Sequence, residues 1–321
     1  MPIKTINIIG PGSMGHLWAA YLSKSGVDVE VFTRQHKANQ SMLLRTADES
    51  FDFEAVYSTF DYWRTADCIL ICVKAIHIEA VCQQLKSLSN AHPPIILMMN
   101  GLGLVEIAKR YLPDNQVYQA STTHGAQLVH LRESRSLSIV QTIEHTGTGI
   151  TLIGDLHHSP AMAGNRIGIA SIIDALNSAL PNCQWNKEHL SSLWLKLLVN
   201  AIINPLTAYH DVANGEIVSD SQLNNKAKQL AKELAPIIQV FVPLLSWQSL
   251  FEKVETIANQ TYTNSSSMRQ DLKAGKKTEI DFISGYILNQ AKILGISLPK
   301  QEQIVKCIKT LEFEYYNSVT K

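Results

Sequence analysis

The chain has 321 residues, 45% of them hydrophobic and 17% charged, with 28 basic side chains against 28 acidic ones. That length accommodates two domains with sizeable cores, and the composition is that of an ordinary globular protein. Balanced charge argues against nucleic acid as a partner, since it would need a strongly basic face.

The N-terminus carries no leader-like run, only a short strand, and the apolar stretch Leu234–Leu245 is too short to span a bilayer and is broken by Pro236 and Pro243. Five cysteines, with no Cys-x-x-Cys pair and no zinc-type spacing with histidine, read as packing residues in a reducing compartment. A soluble, cytoplasmic protein without a metal site or a membrane partner is expected. A second copy of the chain is the one macromolecular partner left open.

In chain order, Thr5–Ile9 reads as a buried strand running straight into Gly10-x-Gly12-x-x-Gly15. A helical stretch, His16–Ser25, and a second strand, Val27–Phe32, follow. Strand, glycine turn, helix and strand are the setting in which this motif binds a dinucleotide. Gly10 permits the tight turn, Gly12 lets the backbone approach a pyrophosphate, and Gly15 lets helix and strand pack closely. The phosphates would sit on the unpaired amides of the first turn, which includes Ser13 and Met14. The second strand ends Val31-Phe32-Thr33-Arg34-Gln35-His36-Lys37, with no carboxylate to accept a ribose 2′-hydroxyl. Arg34 suits a 2′-phosphate through a two-pronged, charge-assisted contact, and Lys37 could add charge, so NADPH is favoured over NADH.

Further strands are expected at Cys68–Val73, Ile95–Met99 and Val117–Ser121, with helices Ile78–Leu88 and Leu104–Tyr111 between them. Short apolar strands alternating with amphipathic helices predict a parallel sheet covered on both faces. Lys74 and Asn100 stand just beyond two carboxyl ends of that sheet, where ligands bind. Gly125–Leu131, Ser136–Glu144 and Gly149–Ile153 read as an antiparallel extension. A helix Ala161–Leu180 and a short strand Cys183–Trp185 close the domain. The expected architecture is α/β: a Rossmann-type doubly wound sheet in residues 1–185 and an all-helical domain in 186–321.

In the second half, helical patterns run Leu190–Tyr209, Leu223–Phe241, Leu250–Tyr262, Ile280–Leu294 and Gln301–Tyr316, with Pro299 placed as a first-turn proline. Lys196, Asn200 and Asn204 are spaced i, i+4, i+8 and lie within about 80° on one stripe of an otherwise apolar helix. A buried lysine costs several kcal/mol unless something offsets it, so the stripe suggests a polar slot for a small oxygen-rich ligand. Further on, Asn264 precedes the cluster Ser265–Ser267, and Thr278-x-x-Asp281 looks like a capping box that puts Glu279 in a first helical turn.

Taken together, Gly10-x-Gly12-x-x-Gly15, Val73-Lys74-Ala75, Asn100-Gly101-Leu102-Gly103, Thr122-Thr123-His124-Gly125-Ala126, His145-x-Gly147-x-Gly149, Lys196…Asn200…Asn204-Pro205-Leu206-Thr207-Ala208 and Ser266-Ser267-Met268…Thr278-Glu279-Ile280-Asp281 occur in one order. This set resembles the ketopantoate reductases (2-dehydropantoate 2-reductases), which make pantoate for pantothenate and coenzyme A with NADPH. The resemblance runs from Ile6 to about Gly285; the stretch Ala38–Tyr57 carries no matching motif. It implies Lys196 as general acid and Glu279 as the residue that holds the substrate, through its hydroxyl. It places Asn100, Asn200, Asn204, Asn264 and Ser267 in the substrate pocket. Arg34 and Lys74, with Asn100, would contact the cofactor. The motifs specify reaction class better than substrate. The alternatives are a reductase of another small 2-keto acid and a non-catalytic NADPH-binding sensor.

Overall fold

The computed structural model describes residues 2–88, 92–132, 139–156 and 168–319. The chain divides into two compact units, Met1–Met99 with Leu104–His189, and Asn100–Gly103 with Leu190–Lys321.

The N-terminal unit contains β1 (Thr5–Ile9), α1 (Ser13–Lys24), β2 (Asp28–Thr33), β3 (Gln40–Arg45), β4 (Ser50–Ala55), β5 (Tyr57–Thr59) and β6 (Cys68–Ile71). After these come α2 (Ile78–Leu88), β7 (Ile95–Met98), α3 (Leu104–Tyr111), β8 (Val117–Thr122), β9 (Gly125–Arg132), β10 (Ile139–Gly147), β11 (Thr151–Gly154), α4 (Ile169–Ala179) and β12 (Cys183–Trp185). The main sheet has the order β12-β11-β8-β7-β6-β1-β2-β5 and is parallel except where β11 meets β8. Its central strands β6, Cys-Ile-Leu-Ile, and β7, Ile-Ile-Leu-Met, are buried at every position, as strands covered on both faces must be. The chain leaves β1 for β2 on one side, and β6 lies on the other, so the strand order reverses at β1, where ligands of open α/β sheets bind.

One expectation is corrected here. The strands β9 and β10 do not extend the main sheet. They form a second, four-stranded sheet of order β4-β3-β10-β9. Only β11 joins the main sheet, antiparallel to β8. The unmatched stretch after β2 supplies β3, β4 and the start of β5. The physical reason lies in α1, which is buried continuously from Gly15 to Leu22 and so needs cover on both sides. The main sheet covers one side, and β4, β9 and β10 pack on the helix as well, with Met42, Leu44, Phe53 and Ile143 in the same core as Leu17 and Trp18. Parts of two predicted elements, residues 136–138 and 161–167, lie outside the described residues.

The helical unit contains α5 (His189–His210, of which the first residue groups with the N-terminal unit), α6 (Glu216–Ser219), α7 (Ser221–Glu233), α8 (Ala235–Phe241), α9 (Trp247–Gln260), α10 (Ser267–Lys273), α11 (Ser284–Ile293) and α12 (Pro299–Val319). The helix expected over Leu223–Phe241 is two helices meeting at Leu234, because Pro236 opens α8. By length and composition α5 could cross a membrane, but two thirds of its most apolar window is buried inside the protein, as in a core helix. Trp194 anchors it, stacked on Phe241 with ring centroids 3.9 Å apart and flanked by Tyr286.

Pro205 sits inside α5 and removes the amide that would have bonded the carbonyl of Ala201. The side-chain amide of Gln301, fully buried at the start of α12, donates to that carbonyl instead at 3.3 Å. Gln301 is itself held by its backbone N–H on the Glu233 carboxylate, 2.8 Å away, which also accepts from Lys300 N–H. Gln301→Leu therefore leaves a buried carbonyl unpaired, and urea unfolding should show a loss of about 1–3 kcal/mol; an unchanged midpoint would mean that water or relaxation supplies the missing donor.

Candidate functional site

In the N-terminal unit the glycine turn is dictated by close contacts. Gly10 has φ +117°, and a Cβ there would stand 2.8 Å from the carbonyl carbon of Cys72, at the end of β6. A Cβ on Gly15 would stand 2.0 Å from the carbonyl oxygen of Gly10, so only glycine lets the helix start this close to its own turn. Gly12 is different: a Cβ there would meet nothing within 4 Å.

Gly12 is also the N-cap of α1, with no side-chain cap, and the first turn holds no acidic residue. The first-turn amides of Ser13, Met14 and Gly15 have no intrahelical acceptors and add to the positive end of the helix dipole. This cradle fits a dinucleotide pyrophosphate. The Ser13 hydroxyl oxygen accepts from Leu128 N–H at 3.0 Å, which fastens the first turn to β9.

Arg34, exposed just past β2, and Lys74, partly buried past β6, both lie close enough to His77 to lower its pKa, after burial as the main cause. The structure thus gathers these two cations at the carboxyl edge of the sheet. Lys37 is tied down differently: its ammonium donates to the Tyr57 hydroxyl at 3.0 Å and lies over that ring.

Two histidines from the sequence motifs also meet in this unit. Tyr21 bonds His145, His145 bonds His124 at 3.1 Å, and Gly149 N–H donates to the same His124 nitrogen. Burial, and then the neighbouring His145, push the pKa of His124 down to about 4, so the pair is neutral and ties the loop after β8 to the loop after β10.

In the helical unit α5 presents Lys196, Asn200 and Asn204 one turn apart. Desolvation lowers the Lys196 pKa to about 8, opposed by the charge of Glu279. Lys196 and Glu279, 83 positions apart, are therefore brought together as an interacting pair. Glu279 does not lie in a helical first turn as its spacing suggests. It caps the short 3₁₀ turn Ile280–Phe282, and α11 begins only at Ser284. Asp281 makes no capping box but pairs with Lys309 at 2.6 Å. Thr278 fixes the segment instead, its N–H and hydroxyl both donating to the Glu312 carboxylate at 2.7 and 2.6 Å.

The serine cluster is fastened to α5. Ser266 caps α10 by accepting from Arg269 N–H, and its hydroxyl shares a 2.8 Å hydrogen bond with Thr207, three residues beyond Asn204. Arg269 then reaches Asp211, just past α5, at 2.7 Å. Ser266 is thus the structural serine, and Ser267 and Asn264 remain exposed.

Sequence reasoning passed over Asn214, because Asn214-Gly215 looks like an ordinary turn. Its backbone N–H donates to the Asn264 carbonyl at 2.9 Å, and its side-chain oxygen is buried without a protein partner. The remaining predicted residue, Asn100, belongs to the helical unit through the segment 100–103. There Gly101, at φ +102°, lets the backbone lie against Phe282, and Leu102 N–H faces the Phe282 carbonyl.

Comparison with known proteins covers both units. The family model described as ketopantoate reductase PanE/ApbA matches residues 6–158, and the model of its C-terminal part matches residues 188–312. A 2-dehydropantoate 2-reductase of Vibrio cholerae is 34% identical, covering 96% of this chain and 97% of that protein. One of Shigella flexneri is 30% identical, covering 97% and 96%. Among solved structures, a probable 2-dehydropantoate 2-reductase of Bacillus subtilis has a TM-score of 0.74 at 27% identity, covering 96% of this chain and 99% of that one. A D-mandelate dehydrogenase solved with NADH and anilino(oxo)acetate has a TM-score of 0.82 at 20% identity, covering 97% and 99%, and shares the fold. With family models matching both halves, near-full-length relatives and a glycine cradle joined in one chain to a lysine–glutamate pair, this chain belongs to the ketopantoate reductase family.

Proposed function

We propose that this protein reduces ketopantoate to pantoate with NADPH, toward pantothenate and coenzyme A. The observation that carries the reading is the desolvated Lys196 paired with Glu279 on the polar stripe of α5. The N-terminal unit is the nucleotide-binding domain and the helical unit the catalytic one. In this reading the amides of Ser13, Met14 and Gly15, with Gly10 and Gly12 shaping the turn, hold the pyrophosphate. Arg34 holds the 2′-phosphate, and Lys74 and Asn100 contact the remainder of the cofactor. NADPH, when bound, supplies the hydride that reduces the C2 carbonyl.

Lys196 does the rest of the chemistry at the oxygen. As an ammonium it donates a hydrogen bond to the carbonyl oxygen, stabilises the negative charge that develops there, and transfers a proton to it. Water then reprotonates the amine. A pKa near 8 suits this role, since the group is charged at neutral pH yet gives up its proton readily. Glu279 accepts from the hydroxyl of the substrate and keeps Lys196 protonated. Asn200, Asn204, Asn264 and Ser267 supply neutral polar contacts, and Asn214, whose amide nitrogen donates to Thr261, adds a buried acceptor oxygen. A homodimer is the assembly we assign, as in the Staphylococcus aureus ketopantoate reductase described as dimeric, with the exposed Ile293 and Phe313 as apolar residues open to it.

Initial-rate oxidation of NADPH with ketopantoate, run beside 2-ketoisovalerate, pyruvate and an NADH control, is the direct test. Turnover is expected with ketopantoate and NADPH; NADPH binding without turnover of any keto acid would reject the assignment. Lys196→Ala should lower kcat by roughly 10²–10⁴-fold while NADPH still binds; an unchanged kcat would remove Lys196 from the acid role. Arg34→Ala should weaken NADPH far more than NADH, and equal losses would show that Arg34 does not read the 2′-phosphate. Activity should fall as pH rises through about 8, where Lys196 loses its proton. Glu279 raises that pKa, so Glu279→Gln should move the alkaline limb to lower pH; a limb that stays in place would separate it from Lys196.

A further inference from the structure

A line of hydrogen bonds runs from the glycine turn to Lys37, and each proton in it can be assigned. His16, one turn into α1 and 1% exposed, places Nδ1 3.0 Å from the Gly12 carbonyl oxygen. A carbonyl only accepts, so Nδ1 carries the hydrogen and Nε2 is left as an acceptor. The Tyr57 hydroxyl, at the start of β5, lies 2.8 Å from Nε2 and donates to it. The Tyr57 oxygen then accepts from Lys37 Nζ at 3.0 Å, and the ammonium sits 4.2 Å from the centre of the Tyr57 ring. The Met42 sulfur lies 3.6 Å from the same hydroxyl. Burial, outweighing the Gly12 hydrogen bond and assisted by the charge of Lys37, brings the His16 pKa down to about 4, which keeps the ring neutral and this proton order intact at neutral pH. A loop lysine would ordinarily trail in water; this one is anchored at both its charge and its ring contact.

Resting on the reading that the N-terminal unit binds NADPH, we propose that Lys37 is a second specificity residue for the 2′-phosphate, and that His16 and Tyr57 are positioning residues that hold it in register with the glycine turn. The turn and the cation are linked through one imidazole and one phenol. The phosphate-binding backbone and the charge that reads the ribose phosphate are therefore set together. Arg34 lies three residues before Lys37 in the same loop, so two cations of different reach serve one dianion.

Direct binding separates this from a merely structural role. Kd values for NADPH and NADH would be measured by fluorescence titration of the full chain, without keto acid, for the wild type, Lys37→Gln, Tyr57→Phe and the double variant. Lys37→Gln should weaken NADPH about tenfold, the scale of a charge-assisted hydrogen bond, and leave NADH within about twofold. Tyr57→Phe keeps the ring and removes the hydroxyl; it should lower the NADPH preference by a smaller factor, about threefold, and add nothing to Lys37→Gln in the double variant. His16→Leu should weaken both nucleotides, because it also releases Gly12, and His16→Gln, which keeps a donor and an acceptor, should restore part of the loss. Equal losses of NADPH and NADH in Lys37→Gln, or additive losses in the double variant, would overturn the proposal while leaving the enzyme an NADPH reductase. A wild-type chain that binds neither nucleotide would overturn both.

Discussion

A lysine ammonium held away from water is unstable as a charge, and the helical unit is organised around that constraint. Desolvation drives the Lys196 proton off, and the carboxylate of Glu279 holds it on. The outcome depends on where two side chains from distant segments stand. The surrounding structure is accordingly stiff. Trp194, two residues before Lys196, is stacked on Phe241 of α8, with Tyr286 of α11 tilted beside it. Thr278, next to Glu279, is held twice by Glu312. The serine segment is tied to the far end of α5 through Thr207 and Asp211. Pro205 interrupts the helix ladder at the end of the polar stripe, and Gln301 repairs the break from another helix.

The N-terminal unit solves a different problem. A phosphate cradle needs helix amides bare of side chains, so α1 begins on glycine with no cap. That leaves its first turn without the side-chain hydrogen bond that usually secures a helix start. The compensation comes from further along. His16 bonds back to the Gly12 carbonyl, and Ser13 gives its oxygen to Leu128 of the second sheet. From Gly15 to Leu22, α1 is buried between two sheets. The helix is therefore held by packing, and its exposed end remains available for a ligand.

Much of this was legible in the residues. Continuous apolar runs such as Ile95–Met98 identify strands covered on both faces, and the ends of α2 and α3 follow from their amphipathic spacing. The polar stripe on α5 follows from an i, i+4, i+8 spacing. The second sheet was harder to see. Gln40–Arg45 and Ser50–Ala55 are short edge-like strands whose alternation is diluted by polar residues, and local pattern alone did not separate them from loop. The available clue was non-local: the nearly continuous apolar run Leu17–Leu22 of α1 requires cover beyond one sheet. Asn214 was missed for a similar reason, since a buried asparagine before glycine has the local signature of a turn.

By itself the sequence determined what short-range chemistry controls. It specified a glycine turn between strand and helix, the periodicity of each long element, a proline in a helix, and the order of motifs that marks the family. The tertiary structure decided which distant groups share an environment. It alone assigned Glu279 to Lys196, Gln301 to the carbonyl freed by Pro205, Ser266 rather than Ser267 to the α5 contact, and Lys37 to Tyr57 and His16. Spacing and propensity act over a few residues, whereas desolvation and charge pairing depend on distances through space that only the folded chain sets.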